Sequence, residues 1–278
     1  MTRIAFQGAF GANSDMACRA VFPDYETVPC FSFEDAFVAL RDGNVDLAMI
    51  PIENSVAGRV ADVHHLLPDS GFHIVGEHYQ PISHHLLAIK GARLQDITRV
   101  ESHVQALAQC RQWLRKNKIT PIIHADTAGA AEDISKRSDK TIGAIASDLA
   151  AKIYGLESLA TDIADGAQNT TRFLILAREA KKPSQDLPCM TTMVFRVRSV
   201  PASLYKALGG FASNGINITK LESYLVDGSF TAAQFYIDVE GHPELASFRH
   251  AFDELSFFAH EVRILGVYPA HSFRKNAA

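Results

Sequence analysis

Asp165-Gly166-Ala167-Gln168-Asn169-Thr170-Thr171-Arg172-Phe173 sets two hydroxyls, two side-chain amides and a guanidinium directly ahead of Leu174-Ile175-Leu176-Ala177. The apolar run from Phe173 reads as a strand buried on both faces, entered through a Gly-containing polar turn. Arg172 offers a planar fork suited to a carboxylate. Thr170 and Thr171 offer short donors held stiffly by their branched Cβ atoms. Asn169 and the threonines could also satisfy their own backbone in a turn. The alternative chemistry is a donor-rich site for an anionic small molecule that must lose an oxygen leaving group.

Two further stretches place polar residues at the mouth of an apolar strand. Residues 47–52 form a buried strand that empties into Glu53-Asn54-Ser55-Val56-Ala57-Gly58, the position where open α/β sheets hold ligands; Asn54 or Ser55 could equally cap a helix there. Residues 3–10 form a strand followed by Gly8-Ala9-Phe10-Gly11, whose spacing is wrong for a dinucleotide fingerprint. Free N–H groups at helix starts after Gly11 and after Asn54 are suited to a carboxylate. Val100-Glu101-Ser102-His103 opens an amphipathic helix with Ser102 as its natural N-cap and an apolar stripe of Val104, Leu107, Cys110 or Ala108, and Leu114.

The string QNTTRF (residues 168–173) resembles the signature of the prephenate dehydratases. PIENS (51–55) with Gly58 and SHVQALAQC (102–110) are similar to two more of that family's motifs, in order. The third departs in carrying Val104 where Pro normally stands, a residue welcome in a first helical turn but not required there. The resemblance implies that Thr171 is tied to catalysis and that Ser102 and Gln109 contact substrate, beside Asn54, Ser55, Asn169, Thr170 and Arg172. It implies conversion of prephenate to phenylpyruvate, water and carbon dioxide, with no cofactor and no metal. Arogenate dehydratase is the nearest rival, and a non-catalytic bilobed binding or sensor protein is the rival from another class.

At 278 residues the chain has room for two domains. Strands and helices alternate over residues 1–178, so the sheets should be largely parallel. Crossings near 76–85 and 163–174 divide this part into two α/β lobes, which the resemblance identifies with the periplasmic-binding-protein-like plan. Residues 179–190 are polar, charged and Pro-containing, a linker. Residues 191–270 follow a βαββαβ, ferredoxin-like order, with Asp227-Gly228 as a hairpin signal. This order resembles an ACT domain, which implies binding of the effector L-phenylalanine near Asn217, Glu222 and Ser223. Tyr224-Leu225 stands where the family has Arg-Pro, and Ala202-Ser203 where it has Gly-Ala, so weaker phenylalanine control is expected. An ACT-like sheet edge implies a homodimer or homotetramer.

A formal charge of −4 gives no electrostatic footprint for nucleic acid or an anionic membrane. Cys18, Cys30, Cys110 and Cys189 show no CxxC pair and read as free thiols in a reducing compartment. No signal-peptide core or membrane-spanning run is evident, so a cytoplasmic location is expected. Neither His64-His65 nor His84-His85 has a metal-ligand spacing, since sequence neighbours point to different faces.

Overall fold

The structure is a computed structural model that describes residues 1–166, 168–198, 200–226 and 229–276. The chain divides into two compact units: residues 1–63 with 78–173, and residues 64–77 with 174–278.

The first lobe of the first unit contains β1 (Arg3–Gln7), α1 (Asn13–Val21), β2 (Glu26–Cys30), α2 (Phe33–Arg41), β3 (Leu47–Asn54) and β4 (Gly58–Arg59). Next come α3 (Ala61–Leu66) and β5 (His73–Pro81), within which the chain leaves this unit and returns. The second lobe contains β6 (His85–Ala88), β7 (Arg99–Ser102), α4 (Val104–Gln109), α5 (Arg111–Lys116), β8 (Thr120–Ile123), α6 (Thr127–Ser135), β9 (Ile142–Ala146), α7 (Asp148–Tyr154) and β10 (Glu157–Ala160). Strand β11 (Thr170–Ala177) then starts in the first lobe and passes into the second unit after Phe173.

Strand β1 pairs in parallel with β2 and β3, and β11 flanks β3. Ile4, Ala5 and Phe6 of β1 and Ala48, Met49 and Ile50 of β3 are fully buried, as expected for parallel strands covered on both faces. In the second lobe the order is β10-β6-β9-β7-β8. Here β7 is parallel to β8 and β9, while β6 runs antiparallel to β9 and β10. The expected parallel character therefore holds for β1–β3 and for β9-β7-β8, while β6 and the β3–β4 hairpin supply antiparallel pairs.

Three local expectations change. No helix begins after Asn54; β3 continues through it into a hairpin with β4. The N-cap of α4 is His103, whose Nδ1 accepts Gln105 N–H at 3.3 Å. Ser102 instead ends β7, fully buried, its Oγ donating to Ile145 O at 2.6 Å. The amphipathic stretch is also two helices, broken at Cys110. The Asp165 carboxylate accepts Gln112 N–H at 2.9 Å and Trp113 N–H at 3.2 Å, favouring a fresh helix start there. Val104 is half exposed, and Ala106, Leu107, Cys110 and Leu114 make the buried stripe.

In the second unit, β12 (Cys189–Val197), α8 (Ser203–Ser213), β13 (Ile218–Val226), β14 (Ser229–Glu240), α9 (Ala246–Phe258) and β15 (Ala259–Pro269) follow the expected βαββαβ order, with α10 (Phe273–Asn276) after them. The sheet order β13-β14-β12-β15 is the ferredoxin-like one, extended by β5 beside β15 through Gly266 and Ile74. Phe195, Ile237, Phe211 and Phe248 pack the sheet against α8 and α9. The Asp227-Gly228 turn lies outside the described residues.

The two lobes of the first unit are joined at the turn after β1. Gly11, at φ +85, lies against α7, where a Cβ would come within 2.7 Å of Ala150 Cα. Ser147 Oγ donates to Gly11 O at 2.5 Å, and Tyr154 OH to Phe10 O at 2.9 Å. Gly11→Ala combines a left-handed backbone with a backbone clash and should cost about 2–4 kcal/mol. Urea denaturation measures this; an unchanged midpoint would contradict the contact.

Candidate active site

The first unit contains a cavity of about 640 Å³. The opening residues of five helices, α1, α2, α3, α4 and α6, line it, together with Thr171 and Phe173 of β11 and Asn54 of β3. Helix starts carry partial positive charge, so this convergence favours an anionic ligand. Ser32, His103 and Asp126 cap α2, α4 and α6 with their own side chains. At α1 the N-cap is Ala12, which has no capping side chain, and Asn13 and Ser14 follow it into the cavity wall. Arg59 lines the same cavity.

The amide of Asn54 orders the centre of the site. Its Oδ1 accepts the backbone N–H groups of Val56 at 2.9 Å and Ala57 at 2.8 Å. Those N–H groups can meet only the oxygen, so Nδ2 must face the other way. It donates to Asn169 Oδ1 at 2.7 Å and to Thr171 Oγ1 at 2.9 Å. Thr171 is therefore an acceptor toward Asn54, and its own proton is left to donate elsewhere. Asn169, oriented by the same contact, donates through Nδ2 to Gln109 Oε1 at 2.9 Å. Gln109 Oε1 also meets His84 Nε2 at 2.6 Å.

Backbone pairing holds this chain of amides in place. Ser55 N–H donates to Thr170 O at 2.9 Å, and Ser55 Oγ accepts Thr170 N–H at 3.0 Å. Asp165 N–H donates to Gln109 O at 2.7 Å, tying the turn before β11 to the break between α4 and α5. Burial is the main influence holding His84 below the ordinary imidazole value, opposed by its Gln109 bond and reinforced by His85. Burial likewise lowers His103, with Asp126 opposing. Burial pushes all four thiols up, Cys110 to about 12, which leaves none an activated thiolate. Among the described residues no group of three or more His, Cys, Asp or Glu could hold a metal ion.

Of the expected site residues, Asn54, Gln109 and Thr171 line the cavity. Asn169 links them and, with Gln109, lines a second cavity of about 390 Å³ whose other walls are mostly small apolar residues. Ser55 and Thr170 clasp each other beside the site, and Ser102 binds a strand carbonyl. Arg172 is 2 % exposed, and its Nη1 pairs with Glu53 Oε1 at 2.9 Å. Strand alternation explains this, since Thr171 and Phe173 share the cavity side and Arg172 points to the opposite face. The same alternation was available in the sequence. His84, a member of the hydrogen-bonded chain, carries no signal in sequence beyond an adjacent His pair before an apolar run. Asn217 precedes β13, and Glu222 and Ser223 lie within it in the second unit, where Glu222 pairs with Lys220 at 3.2 Å.

Arg172→Leu removes a buried guanidinium and its bond to the part-exposed Glu53 carboxylate, at a cost of about 1.5–3 kcal/mol. The expected result is a large loss in denaturation midpoint; a folded variant whose change is confined to KM would contradict the structural role.

The sequence pattern of the family "Prephenate dehydratase" matches residues 4–181. A bifunctional N-acyl-homoserine lactone acylase/prephenate dehydratase of Komagataeibacter europaeus is 50% identical, across 98% of this chain and 97% of that protein. Arogenate dehydratase/prephenate dehydratase 1 of Arabidopsis thaliana, a chloroplastic protein, is 44% identical, across 96% of this chain and 72% of its own length. The solved structure of Arthrobacter aurescens prephenate dehydratase in complex with L-Phe superposes with a TM-score of 0.89 at 30% identity, covering 97% of this chain and 90% of that one. The chain belongs to the prephenate dehydratase family, a family of hydro-lyases.

Proposed function

We propose that the protein converts prephenate to phenylpyruvate, water and carbon dioxide in L-phenylalanine biosynthesis, with Thr171 as the catalytic donor. The observation that carries this is the Asn54 Nδ2 bond to Thr171 Oγ1, which leaves the threonine proton free to serve a ligand in the cavity. Breaking the ring–carboxylate bond sends its electron pair into the ring, and the ring hydroxyl departs with the pair from its own C–O bond. A proton that comes ultimately from solvent makes the product water. Thr171 is too weak an acid to act alone; it acts as a fixed donor whose hydrogen bond strengthens as charge builds on the departing oxygen. Arg59 and the uncapped start of α1 line the cavity and are suited to the carboxylates, whereas Arg172 is buried away from it. No step requires a cofactor or metal.

Arogenate remains the second substrate reading, supported by the plant relative's name. Asn13 lines the cavity, and its amide can accept from an ammonium or donate to a carboxylate. The acylase half of the other relative's name is supported by the 50% identity and by the second, mostly apolar cavity, which suits an acyl chain. Release of homoserine lactone from an N-acyl-homoserine lactone would establish it.

The C-terminal part, expected as residues 191–270 after a linker at 179–190 and beginning in the structure with β12 at Cys189, is read as the regulatory ACT domain of a cytoplasmic homodimer or homotetramer. Strand β13 forms an edge of its sheet, as a pairing surface requires. No helix among the described residues is long and apolar enough to cross a membrane. L-phenylalanine is placed near Asn217, Glu222 and Ser223. Ala202, where the family has Gly, sits at φ +63, a conformation that costs a residue with a Cβ about 1–2 kcal/mol. Weak inhibition follows if that Cβ crowds the effector.

Purified protein with prephenate should yield phenylpyruvate, with arogenate assayed alongside. Thr171→Ala should lower turnover about 10²–10⁴-fold with the fold intact, and Thr171→Ser should retain part. Equal turnover for Thr171→Ala and the natural protein would sink the assignment. Chain shortened after Ala180 should keep turnover at lower stability, since it loses the β15 partner of Ile74. Phenylalanine inhibition should be weak in the full chain and absent from the shortened one; inhibition that survives shortening would remove the effector from this domain.

A further inference from the structure

Gln109 Oε1 stands between Asn169 Nδ2 at 2.9 Å and His84 Nε2 at 2.6 Å. The backbone N–H groups of Val56 and Ala57 set the Asn54 amide, Asn54 sets Asn169, and Asn169 sets Gln109 with its oxygen inward. The His84 nitrogen that meets this oxygen must therefore carry a hydrogen. His84 is 4 % exposed, and burial disfavours its charged form. It is thus a neutral imidazole protonated on Nε2. Its own place is fixed by the backbone, since His84 O accepts Ile163 N–H at 3.0 Å and Ile82 N–H donates to Asn169 O at 2.8 Å.

We propose that His84 is a positioning residue for dehydration: its Nε2–H anchors the far end of the amide chain that turns the Thr171 proton toward the cavity. The inference rests on the dehydratase reading above. Gln109 has a long, freely rotating side chain and borders both cavities. With a single hydrogen bond it would swing into either one. Asn169 Nδ2 would then lose its acceptor, and an Asn169 flip in search of another would set two N–H donors face to face at Asn54. Because each amide has one oxygen end and one nitrogen end, orientation at one end of the chain constrains the other.

The test compares His84→Leu, which removes the donor, with His84→Gln, whose amide N–H can replace it. His84→Leu should lower kcat for prephenate about 10- to 100-fold, the scale of a small misplacement, with KM little changed. His84→Gln should restore most of this. In a Thr171→Ala background, His84→Leu should have no further effect, because both act on one donor. Independently of any substrate, nitrogen-15 NMR of the natural protein at neutral pH should show His84 protonated on Nε2 and bare on Nδ1. An Nδ1–H tautomer, a wild-type kcat in His84→Leu, or an undiminished effect in the Thr171→Ala background would each overturn the proposal. If His84→Leu does not fold, His84→Gln and the NMR pattern decide it. Failure of the natural protein to turn over prephenate or arogenate would remove the dehydratase reading, while the nitrogen-15 pattern would still test the hydrogen-bond chain.

Discussion

The site depends on one side chain being unable to turn. Asn54 Oδ1 is held by two backbone N–H groups in the tight turn that follows β3, so its NH₂ must face Asn169 and Thr171. A threonine hydroxyl has one proton and can spend it in several directions. Occupying its acceptor side with an N–H leaves the donor side for a ligand. That is the preorganisation a weak acid needs to assist a leaving oxygen, since the hydrogen bond is oriented before charge develops.

The surrounding fold serves that placement. The Asn54 turn comes from the end of a buried parallel strand, Thr171 from the neighbouring strand, and Gln109 from the second lobe. Ser55 and Thr170 lock the first two together, and Asp165 ties the third to the turn that precedes β11. The Gly11 turn against α7 fixes one lobe to the other within this unit. Five helix starts face a single cavity; α2, α4 and α6 are capped by their own side chains, and the start of α1 has no capping side chain.

Much of this was legible in the sequence because it rests on local rules. The strand expected from Phe173 forms part of β11, and the βαββαβ order of the C-terminal part follows from the alternation of its elements. The departures have equally physical causes. Asn54 was open to reading as a helix cap, but the hairpin that follows uses the same acceptor for a tight turn. The helix expected from Ser102 onward breaks at Cys110, where Asp165, far along the chain, supplies a carboxylate to a second helix start. Arg172 looked like a carboxylate fork until strand alternation turned it toward Glu53. His84 was hidden because its role depends on Gln109 and Asn169, and no spacing in sequence encodes that meeting.

The central claim is a statement about where hydrogens lie, and neutron diffraction of the deuterated protein observes them directly. The account predicts deuterons on Asn54 Nδ2 directed at Thr171 Oγ1, with the Thr171 deuteron pointing into the cavity. A Thr171 deuteron directed instead at Asn54 or Asn169 would contradict it.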